Sequence, residues 1–319
     1  MASGARGGGA ETMKPHPAFN ALLAATKGRS ALADAPIGEV RKMMAERAAT
    51  RVGAAVAEVR DLYAPGPRGP IPLRLYRPAG AEGVAVAFHG GGWMTGGLDT
   101  FDAVCRNLAS LSGAAVVSVD YRLAPEFPFP AAVEDAWAAT QWVADHGAEL
   151  GVASDRLALF GESAGGNLAA VVALMARDAG APRVRRQILV YPAVDARLKS
   201  PSLDRFAEGY LQTKKDVVYA FKTYALSAGV SPEDWRLSPL LAASHAGVAP
   251  ALILSAECDA ISDDSAAYTQ CLLDAGVSAA HVQYAGMIHT FFAMRGIVDE
   301  ADIAQAQAAQ EIRRAFSSA

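Results

Sequence analysis

At 319 residues, 52% of them hydrophobic and 19% charged, the chain is too apolar to be disordered and long enough for one large α/β domain or two small ones. Acidic residues outnumber basic ones by 33 to 29, a net charge of −4, so there is no basic field to gather a phosphate backbone, which argues against nucleic-acid binding. The three cysteines, Cys105, Cys258 and Cys271, are too sparse for a disulfide-stapled secreted scaffold and read as small buried hydrophobes.

Residues 1–12 are polar and glycine-rich with no apolar signal core, so they read as a disordered tail and the protein is expected in the cytoplasm. Over residues 13–51, Phe19, Leu22, Leu23, Val40, Met43 and Met44 recur at helical spacing. They predict two amphipathic helices broken at Asp34-Ala35-Pro36. A hairpin follows, with Val56–Leu62 and Ile71–Tyr76 alternating around a Pro- and Gly-rich turn. Beyond it, strands are predicted at Val84–Phe88, Ala115–Val119, Leu157–Phe160, Gln187–Tyr191, Ala251–Ser255 and Ala280–Tyr284. Helices are predicted between them at Thr100–Ser112, Ala131–His146, Ala164–Ala179 and Asp264–Ala275, with Ala301–Phe316 closing the chain. Uninterrupted apolar strands separated by helices imply a mostly parallel sheet covered on both faces. Residues 196–235 break the rhythm, because Phe206, Tyr210, Val217, Val218 and Phe221 keep helical spacing where a short connection would suffice. They read as a cap insertion over the C-terminal edge of the sheet, joined there by the helices of 13–51. The uncharged runs Leu237–Ala256 and Ala275–Met294 reach the length of a membrane helix, but Pro239, His245 and Pro250 interrupt the first and His281, Gln283 and His289 the second. No membrane span is expected.

Gly161-Glu162-Ser163-Ala164-Gly165 falls between a predicted strand and a predicted helix. A tight turn there lifts the serine hydroxyl above the sheet, and glycines flank it because side chains would clash. His89-Gly90-Gly91-Gly92-Trp93 follows another strand. Its glycines let backbone N–H groups face a developing oxyanion, and the Ala164 N–H at a helix start adds a donor. No G-x-x-x-x-G-K-[ST] or G-x-G-x-x-G pattern supports phosphate binding instead. His89 reads as structural, since no carboxylate is evident to orient it as a base.

A nucleophilic serine needs a histidine base and an acid to hold that base. In the chain order serine, acid, histidine, the base is His281 or His289. His281 lies inside a strand, whereas His289 follows it in a loop at the C-terminal edge and is preferred. The acid belongs after Ala251–Ser255, where Glu257, Asp259, Asp263 and Asp264 are available. Asp263 and Asp264 are ordinary first-turn acids of the next helix, which favours Asp259.

His89-Gly90-Gly91-Gly92, Asp120-Tyr121-Arg122-Leu123-Ala124-Pro125-Glu126, Gly161-Glu162-Ser163-Ala164-Gly165-Gly166-Asn167 and the pair Asp259 and His289 resemble, in order, the motifs of the hormone-sensitive-lipase-like esterases, bacterial family IV. The resemblance runs from about residue 50 to the end. It implies an α/β-hydrolase fold with residues 52–195 and 236–319 as the catalytic domain. It further implies a Ser163–His289–Asp259 triad, an oxyanion hole from Gly90, Gly91, Gly92 and Ala164, no metal or cofactor, and a small-molecule ester substrate. The Asp120–Glu126 stretch would brace the oxyanion loop. Many relatives dimerise through the final strand and helix, so a homodimer through Ala280–Tyr284 and Ala301–Phe316 is expected. Trp93, Tyr210, Phe291 and Phe292 are the expected apolar lining of a roofed pocket favouring short- to medium-chain acyl groups. Three departures from the family pattern, Glu162 for aspartate, Thr290 for glycine and Phe127 for histidine, bear on substrate preference. An amidase or arylformamidase on the same triad is an alternative, as is a ligand receptor on this fold, although such a receptor lacks the histidine present here.

Overall fold

The computed structural model describes residues 13–153 and 155–317; the tail expected at 1–12 lies outside them. Among the described residues eight strands form one sheet: β1 Glu58–Gly66, β2 Gly69–Arg77, β3 Val84–Phe88, β4 Ala115–Val119, β5 Leu157–Glu162, β6 Val184–Val190, β7 Ala251–Cys258 and β8 Ala279–Ile288. The spatial order is β1-β2-β4-β3-β5-β6-β7-β8, antiparallel from β1 through β2 to β4 and parallel across the rest. The hairpin pairs closer to its turn than expected, from Glu58↔Arg77 to Gly66↔Gly69, with Pro65 facing Pro70.

The helices are α1 Asn20–Thr26, α2 Ile37–Ala48, α3 Leu98–Ser112, α4 Ala131–Asp145, α5 Gly147–Leu150, α6 Ala164–Ala179, α7 Pro201–Arg205, α8 Lys214–Tyr224, α9 Ser262–Asp274 and α10 Asp299–Ser317. Every residue of β3, β4 and β5 is buried, as a parallel sheet covered on both faces requires. The pleat sorts them into two cores. Val84, Val86 and Phe88 join the apolar faces of α4, α6 and α9, while Ala85 and Ala87 join those of α3 and α10.

Among the strands that run beyond their predicted ends are β7 and β8, and their extensions carry part of the site. β7 and β8 stay paired, through an irregularity between Ala256 and Cys258, until Cys258 faces Ile288. The next residues, Asp259 and His289, therefore emerge side by side. The insertion is less regular than its spacing suggested, holding only α7 and the 11-residue α8 as α-helix. The N-terminal segment docks on α8 through one buried carboxylate. Asp216 accepts from the Leu32 N–H at 2.7 Å and from the Thr213 N–H and hydroxyl at 2.9 and 2.7 Å, and Ser30 Oγ also donates to it. Lys215 pairs with Asp34 beside it, and Leu32, Val40 and Ala220 close a small apolar cluster.

Candidate active site

Ser163 stands between the last residue of β5 and the first of α6, held at φ 56° and ψ −116°. A non-glycine residue at positive φ is strained, and the neighbouring backbone maintains it. The Ser163 N–H donates to Val190 O at 2.9 Å, and Ser163 O accepts from the Asn167 N–H at 3.0 Å. The flanking glycines are sterically required. A Cβ on Gly161 would lie 2.0 Å from Gly165 O, and one on Gly165 would lie 2.0 Å from Phe88 O.

Ser163 Oγ is 2.9 Å from His289 Nε2, and His289 Nδ1 is 2.7 Å from Asp259 Oδ2. The carboxylate accepts the Nδ1 proton, which leaves Nε2 as the acceptor for the serine hydroxyl. Asp259 is fixed at its other oxygen, where Oδ1 accepts from the Ile261 N–H at 3.1 Å. Exposures of 7% for Ser163, 3% for His289 and 1% for Asp259 put the chain of bonds in a water-poor setting where charge interactions are strong. Behind it lies a group the sequence reading left aside. Tyr191 packs its ring 4.5 Å from that of His289 and donates its hydroxyl to Glu162 Oε1 at 2.6 Å. Burial pushes the Glu162 pKa up. His281, the other base considered, lies within β8 with Nε2 2.7 Å from Ser255 Oγ.

Gly90, Gly91 and Gly92 form one wall of the cavity above Ser163, with Ala164 beside them. Gly90 lies against the serine turn, since a Cβ there would sit 3.1 Å from Glu162 O. Gly91 at φ 120° and Gly92 at φ 61° take backbone conformations that suit glycine, and a Cβ on Gly91 would lie 2.3 Å from Thr95 O. The Ala164 N–H is among the first of α6 and so lacks an intrahelical acceptor. His89 works as a strut: its Nδ1 lies 2.8 Å from Gly90 O, its carbonyl accepts from Tyr121 OH at 2.7 Å, and its ring stacks on Tyr121 at 4.2 Å. Burial pushes its pKa down to about 4, keeping it neutral. Ala124 N–H, from the same stretch as Tyr121, donates to Trp93 O at 2.8 Å.

The cavity has a volume of about 1050 Å³. Of the four expected lining aromatics it meets Trp93, which is 1% exposed and stacked on Tyr224 at 4.6 Å. Tyr210, Phe291 and Phe292 do not reach it. Tyr210 packs on Phe206 and bonds Met13 O at 3.4 Å. Thr290, at φ 71°, turns the chain directly after His289 and sends Phe291 and Phe292 into the core under α10. The apolar lining comes instead from Phe19 and Leu22, from Met43 and Met44 on α2, from Phe101 and Val104 on α3, and from Phe221 on α8. Of these, Phe19, Leu22, Met43, Met44 and Phe221 show in the sequence as faces of the cap helices, not as pocket lining residue by residue. Among the described residues no three His, Cys, Asp or Glu side chains group to hold a metal ion, and no helix is long and apolar enough to cross a membrane.

A family described as the α/β-hydrolase fold matches residues 85–293. Carboxylic ester hydrolase LipN of Mycobacterium tuberculosis is 46% identical over 238 residues, which span 72% of this chain but only 63% of that relative. Ethyl acetate hydrolase of Pseudomonas putida is 39% identical over 240 residues, 73% of this chain and 74% of its own. Among solved structures, an esterase of Pyrobaculum calidifontis is similar with TM-score 0.88 and 38% identity, covering 96% of this chain and 100% of its own. An ester hydrolase from the metagenome of Lake Arreo, complexed with a derivative of bipyridine phosphonate, gives TM-score 0.89 at 37% identity over 95% of this chain and 100% of its own.

Proposed function

The chain belongs to the α/β-hydrolase family, in its hormone-sensitive-lipase-like branch, and from that premise we propose how it works: it is a carboxylic-ester hydrolase in which Ser163 is the nucleophile, His289 the base and Asp259 the acid. The observation that carries this reading is the pair of short contacts, 2.9 Å from Ser163 to His289 and 2.7 Å from His289 to Asp259, at the floor of the cavity. Ser163 Oγ attacks the ester carbonyl while His289 Nε2 takes its proton. Asp259 holds the tautomer and stabilises the imidazolium. The N–H groups of Gly91, Gly92 and Ala164, with Gly90 beside them, stabilise the oxyanion. A single donor of this kind is worth about 3 kcal/mol. His289 then protonates the leaving alcohol, and water repeats the attack on the acyl-enzyme.

Residues 13–51 and 196–235 act as a two-part cap. Met43, Met44 and Phe221 reach the cavity from above, and a roof favours short- to medium-chain acyl groups. Cytoplasmic residence is supported by three cysteines that are all free thiols. A homodimer through β8 is supported by its place at the edge of the sheet, where its backbone groups can pair with a second copy. The testing experiment is hydrolysis of p-nitrophenyl esters of rising acyl length by the wild type and Ser163→Ala, with a serine-directed phosphonate as label. Short esters are expected to turn over only in the wild type, with label on Ser163. Unchanged turnover in Ser163→Ala, or fastest turnover of emulsified long-chain fat, would overturn the reading.

A further inference from the structure

Helix α2 is remote in sequence from the glycine loop, yet one of its side chains reaches that loop. Arg41 Nε donates to Met94 O at 2.8 Å, Nη2 donates to Ala124 O at 3.0 Å, and the two Nη atoms hold Glu126 Oε1 and Oε2, each at 2.7 Å. All four acceptors lie on the two segments that shape the oxyanion wall. Met94 and Thr95 close a turn on the glycine run, both donating N–H to Gly91 O, at 3.1 and 3.0 Å. Ala124 ties the second segment to Trp93 O at 2.8 Å. A planar guanidinium offers five donors in a fixed fork, and here the fork spans the carbonyl after the glycine turn, the brace and its terminal carboxylate.

We infer that Arg41 is a positioning residue for the oxyanion hole, so that turnover depends on the N-terminal segment being seated. The inference rests on the reading of Gly91 and Gly92 as oxyanion donors. The physical reason is directional: a backbone donor helps only if it points at the oxygen of the tetrahedral intermediate. Met94 O is the far end of the turn that sets the direction of the Gly91 and Gly92 N–H groups. Releasing it lets the turn rotate without disturbing Ser163, His289 or Asp259, none of which Arg41 touches. Arg41 is therefore expected to act on the transition state and little on ground-state binding. The Arg41 side chain is 30% exposed, so a small cation can reach the site it would vacate.

The experiment measures kcat and KM on p-nitrophenyl acetate, the rate of phosphonate labelling, and the thermal midpoint for the wild type, Arg41→Ala, Arg41→Lys and Ser163→Ala. For Arg41→Ala the expected result is a loss of about tenfold in kcat, a fraction of what a deleted oxyanion donor costs, with KM little changed. Labelling should slow in parallel, and millimolar guanidinium should restore part of the rate. Arg41→Lys keeps the charge but not the fork, so it should fold and still lose kcat. If Arg41→Ala fails to fold, Arg41→Lys decides the matter by the same kcat reading. Unchanged kcat, a rise in KM alone, or a rate loss that only tracks the folded fraction would overturn the inference. Ser163→Ala separates the two readings: if it is inert while the Arg41 variants keep their kcat, the esterase reading stands and the role of Arg41 falls.

Discussion

Replacing Asp259 by asparagine should do more than remove a charge. Asp259 Oδ1 accepts from the Ile261 N–H at 3.1 Å while Oδ2 accepts from His289 Nδ1 at 2.7 Å. An asparagine has one oxygen, and the Ile261 N–H, a donor, must have it. That orients the amide nitrogen toward His289, where it can only donate. Nδ1 must then be an acceptor, so the imidazole proton moves to Nε2 and faces the Ser163 hydroxyl that it should be accepting from. At 1% exposure Asp259 has no water to relieve this conflict. The corresponding change in a serine protease lowers turnover about ten-thousandfold through the same tautomer error. That is roughly 5.5 kcal/mol at about 1.4 kcal/mol per tenfold. A loss of between about a hundredfold and ten-thousandfold in kcat is expected for Asp259→Asn. The control is Asp263→Asn. Asp263 is a first-turn acid of α9 that accepts from the Ser202 N–H at 2.8 Å, a bond asparagine can keep. Its loss should be at most about tenfold, since the change touches first-turn charge, the surface pair with Arg205 and the neighbouring Asp264 carboxyl, none of which contacts Ser163 or His289. The assay is kcat on p-nitrophenyl acetate after circular dichroism confirms that both variants are folded. If Asp263→Asn is the more damaging, the assigned acid is wrong.

Asp216→Ala would strand buried donors from Ser30, Leu32 and Thr213 and remove the α8 capping box. A destabilisation of about 2–4 kcal/mol is expected, seen as a thermal midpoint several degrees lower; an unchanged midpoint would deny that this carboxylate ties the N-terminal segment down. Asp264 is buried under Ser200, and burial, reinforced by the carboxylates of Asp195, Asp259 and Asp263, pushes its pKa up to about 8. The folded state therefore keeps a proton that the unfolded chain gives up near pH 4, so this group leaves stability intact below about pH 4 and reduces it progressively as pH rises toward 8. Asp264→Asn should accordingly raise the thermal midpoint relative to the wild type more at pH 8 than at pH 4, and an equal difference at both would refute it.

Much of this arrangement was legible in the sequence because it is written locally. The G-x-S-x-G turn sits where a buried strand meets a helix, and backbone sterics alone demand its glycines. Asp259 and His289 stand just past the predicted strands Ala251–Ser255 and Ala280–Tyr284, the places where an acid and a base are expected for such a serine. The strand ends were less legible. Whether β7 stops at Ser255 or Cys258 depends on its partner β8, and Cys258↔Ile288 pairing has no signature within either segment. The cavity lining was read least well. Phe291 and Phe292 adjoin His289 in sequence, but the positive φ of Thr290 swings them under α10. Met43, Phe101 and Phe221 lie on separate helices and meet only through tertiary packing. Arg41 carries no signal in the sequence, since its acceptors, two backbone carbonyls and the Glu126 carboxylate, are supplied by another part of the fold.

The tie between Ser30 and Asp216 joins residues 186 positions apart. A ribosome adding roughly 5–20 residues per second takes on the order of 10–40 s to cover that distance. For that interval α2 has only its partners up to α3 and the Met94 and Ala124 carbonyls to dock on, while α8, Asp259 and His289 have yet to be made. Contacts this distant in sequence also close slowly, because loop entropy must be overcome before they contribute stability. The nascent chain thus carries one half of its roof well before the other, a stage at which binding by a holdase chaperone would suppress aggregation through Leu22, Leu23, Met43 and Met44.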